Sequence, residues 1–295
     1  MPRGTPGRTR SLVICLAAYL CALVAAAAVC RLLADRSPAL TAFLADCAAT
    51  IVVFAFSVAL DNSSVYDPYW SVAPVPIVLF WLGRGGTGVG ARQALVTLLV
   101  AAWAARLTYN WIRRWRGLAD EDWRYADYRS QGAAYWPISF LGFHLMPTVL
   151  VFLGCLPLLP ALAGAGSARL GILDLLAFLV TAGAILVEAS ADRQLRRFLR
   201  ALNEPGRTLD TGLWALSRHP NYFGEVSFWW GLWLFGLAAA PSRWWTVAGP
   251  LAITALFLFV SIPMMDRRML ARHPGYAASM SARSSFIPWP SRRSA

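Results

Sequence analysis

Apolar residues fall along this chain in long blocks, without the strict alternation that marks half-buried strands. Seven blocks, at 12–33, 40–60, 91–112, 139–162, 170–190, 223–240 and 244–262, approach or exceed the ~20 apolar residues a helix needs to cross a bilayer. An eighth segment, at 66–82, carries Pro68, Pro74 and Pro76, which break regular helix. Irregular backbone at membrane depth is tolerated where it is buried in protein or faces a cavity. That segment therefore spans, re-enters, lines a substrate pocket, or lies as an aromatic belt at the interface. The pattern predicts an all-α, polytopic integral membrane bundle of about seven to eight transmembrane helices. It divides into an N-terminal transmembrane hairpin at 1–60 and a membrane domain at 61–295.

Polar residues interrupt this pattern in a few places. Residues 113–129 form a loop of alternating acids and bases with aromatics between them, the pattern of a self-paired connector on the membrane surface. In the block at 91–112, Trp103, Arg106 and Asn110 are spaced to share one helix face. The block at 170–190 turns back on its predecessor through a short turn at 164–167 and continues past the membrane. There Glu188, Asp192 and Arg196 recur every fourth residue, and Arg193, Arg197 and Arg200 add a positive patch of phosphate size. Asn203-Glu204-Pro205-Gly206 ends that helix. Next comes the stretch at 211–225, where Arg218, His219, Asn221 and Glu225 crowd the mouth of an apolar block. Polar groups left unpaired there are costly, so their presence asks for a function. The tail after 263 is basic and aromatic.

Composition sharpens the membrane reading. The 295 residues are 58% hydrophobic and 14% charged, with no room for a sizeable soluble domain. The formal charge is +12, and every basic residue is Arg. The basic residues sit in short loops, which argues against nucleic-acid binding. They cluster before the first segment, between the fourth and fifth, between the sixth and seventh, and after the last. This places both termini in the cytoplasm and the protein in the cell inner membrane. The cysteines Cys15, Cys21, Cys30, Cys47 and Cys155 all lie in apolar runs without a C-x-x-C pair, and His144, His219 and His273 are scattered. No metal site is expected. The glycine-rich run at 83–90 lacks the strand–turn–helix setting of a nucleotide loop and reads as an inter-helix turn.

Gly212-Leu213-Trp214 followed by Ser217-Arg218-His219-Pro220-Asn221-Tyr222-Phe223-Gly224-Glu225 resembles the steroid 5α-reductase C-terminal family, and more narrowly its bacterial DUF1295 branch. The likeness extends back to Glu188, Asp192, Gln194 and Phe198, and forward to Tyr276 and Phe286-Ile287-Pro288. It implies a membrane-embedded, NADPH-dependent reductase that transfers hydride to an activated C=C bond of a steroid-like or other lipid. The cofactor site would face the cytosol. The resemblance implies that Asp192, Arg196, Arg218, His219, Asn221, Tyr222, Glu225, Arg267 and Arg268 form that site. Asp67 occupies the place of a substrate-orienting glutamate. The family's tyrosine proton donor is replaced by Trp103, which leaves Tyr69 and Tyr109 as catalytic candidates beside Asp67. Hydride transfer needs a nicotinamide held in a dry site, a donor for the developing enolate and an acid for the adjacent carbon. Two alternatives stand beside this reading. One is an S-adenosylmethionine-dependent membrane methyltransferase of the isoprenylcysteine or phospholipid type, which shares an Arg-His-Pro-x-Tyr core. The other is a non-catalytic membrane lipid-binding protein. The expected partners are a sterol-like or other lipid substrate and the bilayer.

Overall fold

The computed structural model describes residues 6–86, 88–130, 132–164, 169–201, 207–273 and 275–290. Residues 165–167 of the expected turn, and all of 203–206, lie outside them. The described residues are mostly helical, with one isolated bridge between Ser217 and Ser284 in place of any sheet. Among the described residues, six runs are long and apolar enough to cross a membrane: Arg8–Leu32, Pro38–Ala59, Ala91–Arg114, Tyr135–Cys155, Ile172–Ala201 and Pro241–Arg272. The protein is thus an all-α, multi-pass membrane protein. The expected block at 223–240 is a helix of 20 residues, Pro220–Ala239. At ~1.5 Å per residue it is long enough to span, though it is not one of those six.

Two compact units divide the chain, Met1–Ala168 and Arg169–Ala295. In the first unit, α1 (Arg8–Leu32) and α2 (Pro38–Ala59) pair closely. Helix α2 also packs on the 3-10 turn Ser63–Tyr66, on α4 (Pro74–Leu82) and on α8 (Met146–Cys155), so the hairpin shares one core with the later helices of its unit. Its N-terminus obeys local rules: the Ser37 hydroxyl accepts from the Leu40 amide at 3.3 Å, and Pro38 opens the first turn.

The prolines at 68–76 act as expected. This segment is broken into the 3-10 turn, α3 (Tyr69–Val72) and α4, whose nine residues reach ~14 Å and cannot cross the bilayer. Ser63, Ser64, Val65, Tyr66 and Tyr69 are buried, as irregular backbone in a membrane protein requires. Helix α5 (Ala91–Arg114) packs on α3 and α4. The Gln93 side chain caps its start by accepting from the Gly90 amide at 2.8 Å. The connector carries α6 (Trp123–Arg129) and is self-paired as expected. Arg129 meets Glu121 at 2.5 Å and Asp61 at 2.7 Å, and the Ser63 amide donates to Glu121 at 2.7 Å. A short α7 (Tyr135–Ile138) and a π-helical turn, Ser139–Leu145, lead into α8; α9 (Leu158–Ala163) completes the unit.

The second unit is built on α10 (Ile172–Ala201) and α12 (Pro220–Ala239), which form its most extensive helix pair. Small residues permit their approach. A Cβ on Gly224 would lie 2.7 Å from the Glu188 Cβ and 2.9 Å from its amide nitrogen. One on Gly231, two turns on, would strike Thr181. Glycines at this spacing let two backbones meet where lipid supplies no hydrophobic drive. Between these helices lies α11 (Leu213–Leu216). After them come α13 (Ala248–Leu256), a π-helical turn Phe257–Ser261, α14 (Ile262–Arg272) and α15 (Tyr276–Ala282).

Candidate functional site

The stretch at 211–225 is moulded by its neighbours. Gly212 has φ +60, and a Cβ there would meet the Gln194 side chain at 2.7 Å. Gln194 accepts from the Leu213 amide at 3.0 Å, and the Trp214 indole donates to the Ala191 carbonyl at 3.0 Å. Gly212-Leu213-Trp214 is therefore a docking element for α10. Beyond it the chain meets the tail. The Arg218 amide donates to the Ser284 carbonyl at 2.9 Å, the Ser217 hydroxyl to the Phe286 carbonyl at 2.8 Å, and the Trp289 amide to the Leu216 carbonyl at 3.1 Å.

Asp266 on α14 is the hub of the site. Its carboxylate accepts from Arg218 Nη2 at 2.7 Å, from His219 Nε2 at 3.0 Å and from the Tyr276 hydroxyl at 2.5 Å. Asp266, Arg218, His219 and Tyr276 are all buried. Burial and the adjoining carboxylate push the Tyr276 phenol above its usual range, so it stays a donor. Arg218 Nη1 also donates to the carbonyls of Met280 and Arg283. Arg283 in turn donates to the carbonyls of Leu209 and Trp214. Arg218 thus arrives with its charge paired. It holds the turn against the tail more than it offers itself to a phosphate.

The His219 ring stacks on Tyr222, with centroids 5.1 Å apart and planes at 8°, and Tyr222 rests on Phe257 at 4.9 Å. Phe257 opens a π-helical turn, a distortion that re-aims side chains and recurs at functional sites. Glu225 accepts from the Trp229 indole at 2.9 Å, one turn along α12. Asn221 Oδ1 is buried with no hydrogen-bond partner. An orphaned amide oxygen at the mouth of a helix calls for a donor from outside the chain. On α10, Asp192 and Arg196 are half-buried, while Arg193, Arg197 and Arg200 are exposed. On α14, Arg267 is exposed and Arg268 half-buried.

The first unit holds the three catalytic candidates, and it separates one of them. Asp67 accepts from the Tyr125 hydroxyl at 2.6 Å and has Arg124 at 3.8 Å. Burial pushes its carboxyl up to about 6, against the pull of Arg124 and Tyr125. Tyr69 is buried; its hydroxyl donates to Asp46 Oδ1 at 2.6 Å, and its ring stacks on Tyr66 at 4.8 Å. Asp46 Oδ2 is buried without a partner. Tyr66 continues the polar chain: its hydroxyl meets Thr148 at 2.7 Å, which meets Thr50 at 2.7 Å. Tyr109 is 58% exposed, with its ring under the Arg113 guanidinium at 5.3 Å, and stands apart from this buried cluster. Trp103 is fully buried.

Sequence reasoning singled out Arg218, His219 and Tyr222 and passed over Asp266, to which Arg218 and His219 bond. A signal was present: Asp266 is the only acid after Glu225, in a tail otherwise basic. Asp46 and Tyr125 were missed as well. Asp46 stood out as an acid within an apolar block, and Tyr125 looked like one aromatic among several in the connector.

Residues 53–281, well over half of the chain, match the family described as protein of unknown function DUF1295. The chain belongs to this family. The matched region takes in the Asp67 cluster, the 211–225 turn, Asp266 and Tyr276. The DUF1295 protein is also similar to an uncharacterized protein of Schizosaccharomyces pombe. The two are 25% identical over 261 residues, covering 80% of this chain and 76% of the relative. No solved structure matches.

Proposed function

We propose that this DUF1295 protein is a membrane-embedded, NADPH-dependent reductase acting on an activated C=C bond of a sterol-like or other lipid. The orphaned Asn221 Oδ1 carries the reading. It can only accept, and NADPH brings amide and amine N–H groups at both its nicotinamide and its adenine. Bound NADPH would supply the hydride. The chain's own part is to hold the cofactor and to position a proton. Asn221 accepts one of the cofactor's N–H donors. The His219–Tyr222 stack offers a flat, partly apolar wall to an aromatic ring. Arg193, Arg196, Arg197 and Arg200, with Arg267 and Arg268, provide cations for phosphates, as planar forks suited to that geometry. Asp192 and Glu225 brace the same helices. In the first unit, Tyr69 holds a proton against Asp46.

The test is a direct titration. Protein in detergent binds NADPH, and Asn221→Ala weakens that binding roughly tenfold to a hundredfold, the effect of losing one buried hydrogen bond. Equal affinity in the variant would remove the main support for the reading.

A further inference from the structure

A neutral His219 holds its one hydrogen on either ring nitrogen, and the choice decides what it offers a ligand. Asp266 settles it. Arg218 can only donate, and Tyr276 and His219 share the Oδ1 atom of the same carboxylate. A carboxylate with Arg218 on its other oxygen can only accept, so the hydrogen between Asp266 and His219 belongs to Nε2. That leaves Nδ1 as the ring's acceptor. The bond from Nε2 to Asp266 holds the ring by its edge, and its face is stacked on Tyr222.

We propose that Asp266 is a positioning residue of the cofactor pocket: it fixes His219 in the Nε2–H form so that Nδ1 presents an acceptor to a ligand N–H donor. The inference rests on reading the 211–225 turn as that pocket. It gives the turn a second acceptor beside Asn221 Oδ1, two residues away. The ligand class this favours is an amide or amine carried on a flat ring. A residue argued to act through another needs a readout that simple loss of packing does not move, and the tautomer is such a readout.

Asp266→Asn is the informative change. Its amide oxygen must face Arg218, which can only donate. Its NH2 then faces His219 and Tyr276, each of which can switch to accepting. The hydrogen on His219 moves to Nδ1, and the acceptor facing the ligand becomes a donor. The experiment is nitrogen-15 NMR of histidine-labelled, full-length protein in detergent, with His219 assigned by its loss in His219→Gln, followed by NADPH titration of each variant. The expected result is Nε2–H in the wild type, Nδ1–H in Asp266→Asn, and NADPH affinity in that variant lower by roughly tenfold to a hundredfold. Tyr276→Phe removes a donor from the same oxygen and should leave the tautomer as it is. Wild-type protein in the Nδ1–H form, or with both ring nitrogens protonated, overturns the proposal whatever the variants do, including a variant that fails to fold. An unchanged affinity in a folded, tautomer-shifted Asp266→Asn overturns it as well. Failure of the wild type to bind NADPH overturns the pocket reading and the ligand half of the proposal. The spectra, which need no ligand, then decide the positioning half.

Discussion

Asp67 shows how burial and pairing compete at a single carboxyl. Its folded value is raised from 3.8 to about 6, with burial the larger effect and Arg124 and Tyr125 opposing it. Between those values the folded state keeps a proton that the unfolded chain releases. The stability this group contributes is full below the unfolded value and is lost as pH rises through the folded one. Asp67→Asn cannot ionise. Its melting temperature should therefore fall less than the wild type's as pH rises from ~4 to ~7. Parallel melting curves for the two proteins across that range would contradict the assignment. Asp67 was legible in the sequence as an isolated acid before a proline. Its value was not, because it depends on Tyr125 and Arg124, some sixty residues on. Asp266 teaches the same lesson. The buried donors Arg218 and His219 were conspicuous, but their common acceptor lies on a helix 47 residues away. Spacing along a chain says nothing of such a pair.

Among the elements, α10 and α12 were the most legible, since both arise from apolar length and polar ends. Their closeness was legible only in retrospect, in Gly224 and Gly231 two turns apart. Gly224→Ala places a methyl 2.9 Å from the Glu188 amide nitrogen and 3.0 Å from the Ala184 carbonyl oxygen, both backbone atoms that cannot yield locally. It should destabilise the protein by ~1–3 kcal/mol, the range for overpacking a close contact, read as a loss of melting temperature in detergent. An unchanged melting temperature would mean that the two helices do not meet there. The proline-rich segment was legible as a break in helix. Its resolution into a 3-10 turn and two short helices was not, because burial against α2, α5 and α8 selects that path. The π-helical turn at Phe257–Ser261 left no local mark either. It becomes visible through Phe257, which packs against Tyr222.

For the whole molecule, hydropathy was enough for an all-α membrane protein. It was not enough to say which helices share a core. The N-terminal hairpin reads as two apolar blocks closed by a polar turn. Yet α2 contributes Asp46 and Thr50 to the polar chain that includes Tyr66 and Tyr69. We propose that the whole protein holds a dinucleotide and not a methyl donor. A ligand that binds only the folded state stabilises it by ~2.7 kcal/mol at a hundred times its dissociation constant. The deciding measurement is the thermal unfolding of the full chain in detergent with saturating NADPH or with S-adenosylmethionine. The account predicts a rise in melting temperature with NADPH, lost in Asn221→Ala, and no rise with S-adenosylmethionine. Stabilisation by S-adenosylmethionine and not by NADPH would contradict it.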